Sequence, residues 1–308
     1  MNNKILLIVL VSLLAFFGYS KFFSGKNDSS FNPEIIKINP DQVTKVVIQT
    51  KADNFEKAVL EKTGDGWTIS KNGKTYTAAQ SAVNNFLTNL RSVNTSYIAA
   101  KNADKWATYE LEPDKATHIT VYNGGNVLAD FYIGKFSVNQ QAQQITSFFR
   151  LADKDDIYAV TGMAGMTLGQ GSNSYRDKQL LKMEINDIET LNYEGDEVYQ
   201  VSKSGSEWLL NEMETLDSTK VKNFLMNLIS MSGESFVDGF DENLNSDKLL
   251  KKLTINGSNM LQPITVRCWK DDSLKKPFII QSSQYPGSYF ESDSTRLFKR
   301  IFKSVAEW

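Results

Sequence analysis

The chemistry open to this chain is narrow, because it has one histidine, His118, and one cysteine, Cys268. A Ser-His-Asp or Cys-His relay would have to use that single imidazole. Yet His118 opens an ordinary alternating run, His118-Ile-Thr-Val-Tyr122, with no Gly-x-Ser-x-Gly elbow and no cysteine in a nucleophile's setting to accompany it. Histidine-based zinc sites fall by count, which leaves oxygen donors for hard cations. The carboxylates that come in groups are Asp153-Lys-Asp-Asp156, Asp241-Glu242 and Asp271-Asp272. Glycosidase chemistry needs two carboxyl groups about 5 to 10 Å apart in a cleft, whereas each of these groups falls where a turn is expected and reads as solvated loop charge. The run Asp241-Glu-Asn-Leu-Asn-Ser-Asp247 lacks the glycine and closing glutamate of a calcium-binding EF-hand loop. The glycine-rich stretch Thr161–Ser174 lacks the Gly-Lys-Ser/Thr ending of a phosphate loop and reads as a connector. Arg176 and Asp177 follow it and could orient a ligand, although an arginine at a domain junction reads first as structural. No cofactor and no metal is expected. The five tryptophans show no sugar- or base-stacking arrangement and count as core and rim.

The elements that position these residues are organised around an internal repeat. Val83-Asn-Asn-Phe-Leu-Thr-Asn-Leu90 returns as Val221-Lys-Asn-Phe-Leu-Met-Asn-Leu228, identical at six of eight positions. Valine, phenylalanine and two leucines at i, i+3, i+4 and i+7 predict an amphipathic helix in each copy. Thr77 with Gln80 has the form of a capping box before the first, and Asp217 is the cap expected for the second. Strands are expected at Val43–Thr50, Ala58–Leu60 and Trp67–Ile69 before the first helix. Before the second they are expected at Leu181–Ile185, Glu197–Val201 and Glu207–Leu210. After the helices, His118–Tyr122 resembles Pro263–Arg267, and Asp130–Gly134 resembles Pro277–Ile280.

The pattern predicts an α+β protein: an N-terminal transmembrane helix followed by two tandem repeats, each a mainly antiparallel sheet with one amphipathic helix packed on a face. The expected divisions are an anchor over residues 1–23, a linker over 24–40, a first repeat over 41–160, a connector over 161–180 and a second repeat over 181–308. With 34 basic and 36 acidic residues the net charge is −2, which gives no general field for nucleic acid. Ile5–Phe23 is a membrane-directed run of 19 residues, about 28 Å as a helix and close to the ~30 Å hydrocarbon core. No small-x-small cleavage site follows it, so it reads as an uncleaved single-pass anchor in the cytoplasmic membrane, with the body on the extracytoplasmic side.

Several of these pieces together resemble a membrane-anchored family of unknown biochemical function. They are Ile5–Phe23, Gly66-Trp67 and Glu207-Trp208 before each Phe-Leu-x-x-Leu helix, Thr108-Tyr-Glu-Leu-Glu-Pro113, and Tyr175-Arg-Asp-Lys-Gln-Leu-Leu181. The family has a duplicated exported domain and is found beside gliding-type auxiliary ABC transporter components. It tends to have Tyr-Gly-Leu where this chain has Tyr109-Glu110-Leu111, which puts the tight turn a glycine permits in question. The resemblance implies a non-catalytic accessory subunit in contact with an ABC transporter permease, ATPase or auxiliary subunit. A module for cell-envelope glycan or peptide is the alternative, signalled by exposed Trp67, Trp106 or Trp269 on one sheet face, and a carboxylate-dependent hydrolase is the outsider. The candidate interaction residues are Tyr175, Arg176, Asp177, Trp106 and Trp269, with the stretch between the halves, Thr161–Lys178, as the expected interface.

Overall fold

The structure is a computed structural model and describes residues 33–64 and 66–308. In chain order it runs β1 (Glu34–Lys37), β2 (Lys45–Gln49), β3 (Lys57–Thr63), β4 (Gly66–Lys71), β5 (Lys74–Thr77), helix α1 (Gln80–Leu90), β6 (Ser92–Asn94) and β7 (Tyr97–Ala100). It continues with β8 (Thr117–Asn123), β9 (Asn126–Asn139), β10 (Gln144–Leu151), β11 (Ile157–Thr161) and the short helix α2 (Ala164–Leu168). The remainder is β12 (Ile188–Glu194), β13 (Tyr199–Ser204), β14 (Glu207–Leu210), β15 (Glu214–Leu216), helix α3 (Ser218–Ile229), β16 (Leu249–Gly257), β17 (Ile264–Lys270), β18 (Phe278–Ser282), β19 (Tyr289–Ser292) and helix α4 (Leu297–Ile301).

The expected fold class is corrected in two respects. Antiparallel strands dominate the molecule, so the described residues form a mostly β fold in place of the expected α+β class. Only α1 and α3 exceed five residues among the described α-helices. No helix among the described residues is long and apolar enough to cross a membrane. The anchor expected at Ile5–Phe23, and the linker as far as residue 32, lie outside the described residues.

The chain forms two compact units, one of residues up to Thr44 with Asn85–Gln170, the other of Lys45–Asn84 with Gly171–Trp308. In the first, β8, β9, β10 and β11 form an antiparallel meander and β7 pairs with β11. A cluster of Leu111, Ala116, Phe148, Ile157 and Ala159 fills one face, and Phe131 stacks on Phe149 at 5.9 Å. Gly134 on β9 is required there, because a Cβ would stand 2.1 Å from the Tyr109 carbonyl oxygen.

In the second unit, β2 to β5 form a meander whose last hairpin turns through Asn72 and Gly73, both with positive φ (51° and 72°). That is the Asn-Gly two-residue turn whose twist matches the flanking strands. The same unit contains an eight-stranded sheet in the order β15-β14-β13-β12-β16-β17-β18-β19. Its core buries Val221, Phe224, Leu225 and Leu228, the apolar stripe of α3. Each such side chain contributes on the order of 1.5–3 kcal/mol.

Three local expectations fail. Thr77 and Gln80 do not form a capping box, because Thr77 ends β5, the helix starts at Gln80 itself, and the Gln80 side chain donates to Asn84 Oδ1. Leu181–Ile185 is not a strand, although Leu181 is buried; the first strand of that sheet begins at Ile188. The likeness of His118–Tyr122 to Pro263–Arg267 pairs unlike strands, since the former lies in the first strand of its meander and the latter mostly in the second. The strand missed between them, β16, carries Lys251 and Lys252, which interrupt the apolar alternation and pair with Asp196 and Glu194.

Candidate functional site: a cleft around Arg176

Tyr175, Arg176 and Asp177 run antiparallel beside the end of β5. The Ala79 N–H donates to the Tyr175 carbonyl at 2.8 Å, and the Asp177 N–H donates to the Thr77 carbonyl at 2.9 Å. This main-chain pairing fixes the direction of the Arg176 side chain, which is buried. Its guanidinium carbon lies 3.7 Å from the Tyr76 ring centre and 3.6 Å from that of Phe236, so the cation is held between two aromatic faces. Nη1 donates to Asp238 Oδ1 at 2.7 Å and to Asn173 Oδ1 at 3.1 Å. Nε is buried without a hydrogen-bond partner among the described residues.

Around this arginine is a hollow of about 300 Å³ lined by Lys71, Asn72, Lys74, Tyr76, Asn173 and Asp238, among others. Two of the lining residues, Ser172 and Lys71, are held by the buried Asp53, which accepts from the Ser172 N–H (2.7 Å), the Ser172 hydroxyl (2.6 Å) and Lys71 Nζ (2.7 Å). Burial raises the pKa of the Asp53 carboxyl, and these hydrogen bonds outweigh that effect and hold it below its ordinary value. The glycine-rich connector serves packing here: a Cβ on Gly171 would meet the Ala52 methyl at 2.9 Å.

Of the five candidate residues only Arg176 lines this hollow; Tyr175 and Asp177 flank that arginine in the chain, and Trp106 and Trp269 lie elsewhere. Trp106 belongs to the first unit, where its Nε1 donates to the Asp155 carbonyl and the Arg150 guanidinium lies 3.8 Å from its ring centre. Arg150 also lies 4.1 Å from Tyr132, which stacks on His118 at 4.2 Å, and His118 Nε2 is 2.6 Å from Asp130 Oδ1. Trp269 is buried against Phe240 and Tyr289, and Trp67 is buried as well, so neither belongs to an exposed aromatic face.

Members of two of the three acidic groups are paired with basic side chains. Glu242 bonds Arg267 at 2.8 Å, Asp272 bonds Lys270 at 3.0 Å, and Asp271 accepts from Ser273 and Lys248, which lowers its pKa to about 2. No group of three or more potential metal ligands is assembled among the described residues. Burial pushes the Cys268 thiol well above its ordinary range.

The cleft residues that the sequence reading missed are Lys71, Lys74, Tyr76, Phe236 and Asp238. The Asn72-Gly73 pair was the available signal for the hairpin that carries the first three. No pattern linked them to Phe236 and Asp238, because that proximity is made only by the fold.

No curated protein and no solved structure matches the chain. Residues 67–252 match the family model described as "Domain of unknown function (DUF4340)", and as this span covers more than half of the 308 residues, the chain belongs to that family.

Proposed function

We propose that this protein works by contact, as an extracytoplasmic accessory subunit of an ABC-type, gliding-associated complex at the cytoplasmic membrane, and has no turnover of its own. The observation that carries the reading is that the side chains best suited to chemistry are engaged with one another. His118 is occupied by Asp130 and Tyr132, Arg176 by Asp238 and two rings, and Cys268 is buried, which pushes its thiol away from the reactive thiolate. The membrane-directed run Ile5–Phe23 and the resemblance to proteins found beside transporter components support the location.

A contact surface is available in the first unit. Phe136 and Val138 on β9 are exposed on one face, and α2 lies over Phe136, where a Cβ on Gly165 would stand 3.3 Å from the ring. Met163 and Met166, at the start of and within α2, extend the exposed apolar surface and fall inside the expected interface Thr161–Lys178. The cleft around Arg176 favours the second reading, a glycan- or peptide-binding module, because it joins a tyrosine ring to amides and charges in one concavity.

The test is affinity purification of the full chain from its own host after mild detergent extraction, followed by mass spectrometry. A multi-span permease or an ATPase is expected. Envelope polysaccharide alone transfers the case to the binding module, and glycan cleavage by the purified protein transfers it to the hydrolase.

A further inference from the structure

The chain as a whole is slightly acidic, yet one hollow in the second unit is ringed by cations. It has a volume of about 420 Å³ and lies between α3 and the segment that begins at α4. Lys220 stands on one side and Lys299, Arg300 and Lys303 on the other. Lys220, Lys299 and Arg300 form no ion pair among the described residues. Lys303 Nζ lies 5.0 Å from the ring centre of Phe224 and 4.5 Å from that of Trp308.

Two carboxylates belong to the same segments and keep their charge while accepting backbone N–H bonds, and Glu307 also feels the charges of Lys299 and Lys303, which leaves four cations against two anions around the hollow. Asp217 accepts from the Thr219 and Lys220 N–H groups, and Glu307 from the Ser304 N–H. The floor is apolar, made by Phe224 and Met231, and the amides of Asn223 and Asn227 supply further polar groups.

Nothing in helix stability calls for this charge. Lys220 lies in the first turn of α3, where the helix dipole disfavours a cation. The matching position of the first repeat is Ala82, and Lys222 is matched by Asn84. Four cations around an apolar floor fit a ligand that is anionic at one end and apolar at the other. An inorganic phosphate would leave the floor unused, and a nucleic acid would need a longer basic track with open aromatic faces.

We infer that this hollow binds the head group of an anionic phospholipid, with the phosphate among Lys220, Lys299, Arg300 and Lys303 and the glycerol and first acyl carbons over Phe224 and Met231. The inference rests on the charge and shape of this surface and is independent of the accessory-subunit reading.

The test uses the purified full chain in a neutral maltoside detergent, titrated calorimetrically with dihexanoyl phosphatidylglycerol, dihexanoyl phosphatidylcholine and glycerol 3-phosphate. Saturable binding of the phosphatidylglycerol is expected, with the other two at least about tenfold weaker, since each lacks either the net charge or the apolar part. Equal binding of phosphatidylcholine, or of glycerol 3-phosphate, overturns the assignment.

Lys299→Gln and Arg300→Gln alter exposed side chains, and each should weaken phosphatidylglycerol binding by roughly fivefold. Lys203→Gln, on the exposed end of β13, serves as control for general charge; an equal loss there also overturns the proposal.

Discussion

Helices α1 and α3 carry the same stripe and different rims. Val83, Phe86, Leu87 and Leu90 are buried in one, and Val221, Phe224, Leu225 and Leu228 in the other. Outside the stripe, α1 has no charged side chain over Gln80–Leu90, whereas α3 has Lys220 and Lys222. A stripe residue touches many neighbours, so a change there is felt as a cavity; a rim residue faces water and is free to diverge at a few tenths of a kcal/mol. The stripe therefore reports architecture, and the rim is where two copies of one motif can acquire different partners.

The comparison breaks first at the phenylalanines. Phe86→Ala and Phe224→Ala should each cost about 3–5 kcal/mol in urea unfolding. Phe86 should lie at the upper end, because it is fully buried. Phe224 shares its surroundings with Trp308 at 4.9 Å and with the Lys303 side chain, which can move into the space. A smaller loss at Phe86 than at Phe224 would show that the two stripes are not equivalent supports.

The same stripes explain how much could be read without coordinates. Both helices were legible because four apolar positions at helical spacing recur in an almost identical octet. The Asp217 cap was legible because aspartate immediately precedes the helix, and its Oδ1 does accept from Thr219 and Lys220. Strand β16 was illegible because Lys251 and Lys252 stand where alternation calls for one apolar residue, and each is compensated by a carboxylate from another part of the chain. The cleft around Arg176 was half legible: the Tyr-Arg-Asp segment stood out, while the rings that hold the cation come from positions 100 residues before it (Tyr76) and 60 after it (Phe236).

The polar frame of that cleft offers the next largest effects. Arg176→Lys should cost about 2 kcal/mol, since an ammonium cannot stack flat between Tyr76 and Phe236 while reaching both Asp238 and Asn173. Asp53→Asn should cost about 2 kcal/mol at neutral pH through weakened bonds to Lys71 and Ser172. The sign of the pH effect follows from the lowered folded-state pKa. The contribution of Asp53 is present above the unfolded value near 3.8 and is lost as the pH falls through the folded one. Acid unfolding followed by circular dichroism should therefore show a shallower loss of stability below about pH 4 in the asparagine variant.

Asp217→Ala sharpens the contrast between the helices at about 1 kcal/mol, the usual value of an N-cap. Lys220 adds an unfavourable charge to the first turn of α3, which the aspartate opposes. Combining Asp217→Ala with Lys220→Gln should recover a few tenths of a kcal/mol relative to Asp217→Ala alone, read from thermal unfolding.

The smallest effect expected of a single substitution concerns a turn that the first unit carries. Glu110 has φ 56° and ψ 38°, a left-handed conformation that L side chains avoid at a cost of about 1 kcal/mol. The turn nevertheless closes: the Leu111 N–H donates to the Trp106 carbonyl at 2.9 Å, and Leu111 is fully buried. A glutamate thus supports a bend that glycine would adopt without strain, because burial of Leu111 outweighs the strain. Gly134, by contrast, faces the Tyr109 carbonyl so closely that no side chain fits. Glu110→Gly should relieve the strain while increasing the freedom of the unfolded chain, for a net stabilisation of roughly 0.5 kcal/mol. A thermal midpoint raised by a degree or two is the expected result. A lowered midpoint would mean that the carboxylate makes a favourable contribution in solution large enough to offset its backbone strain.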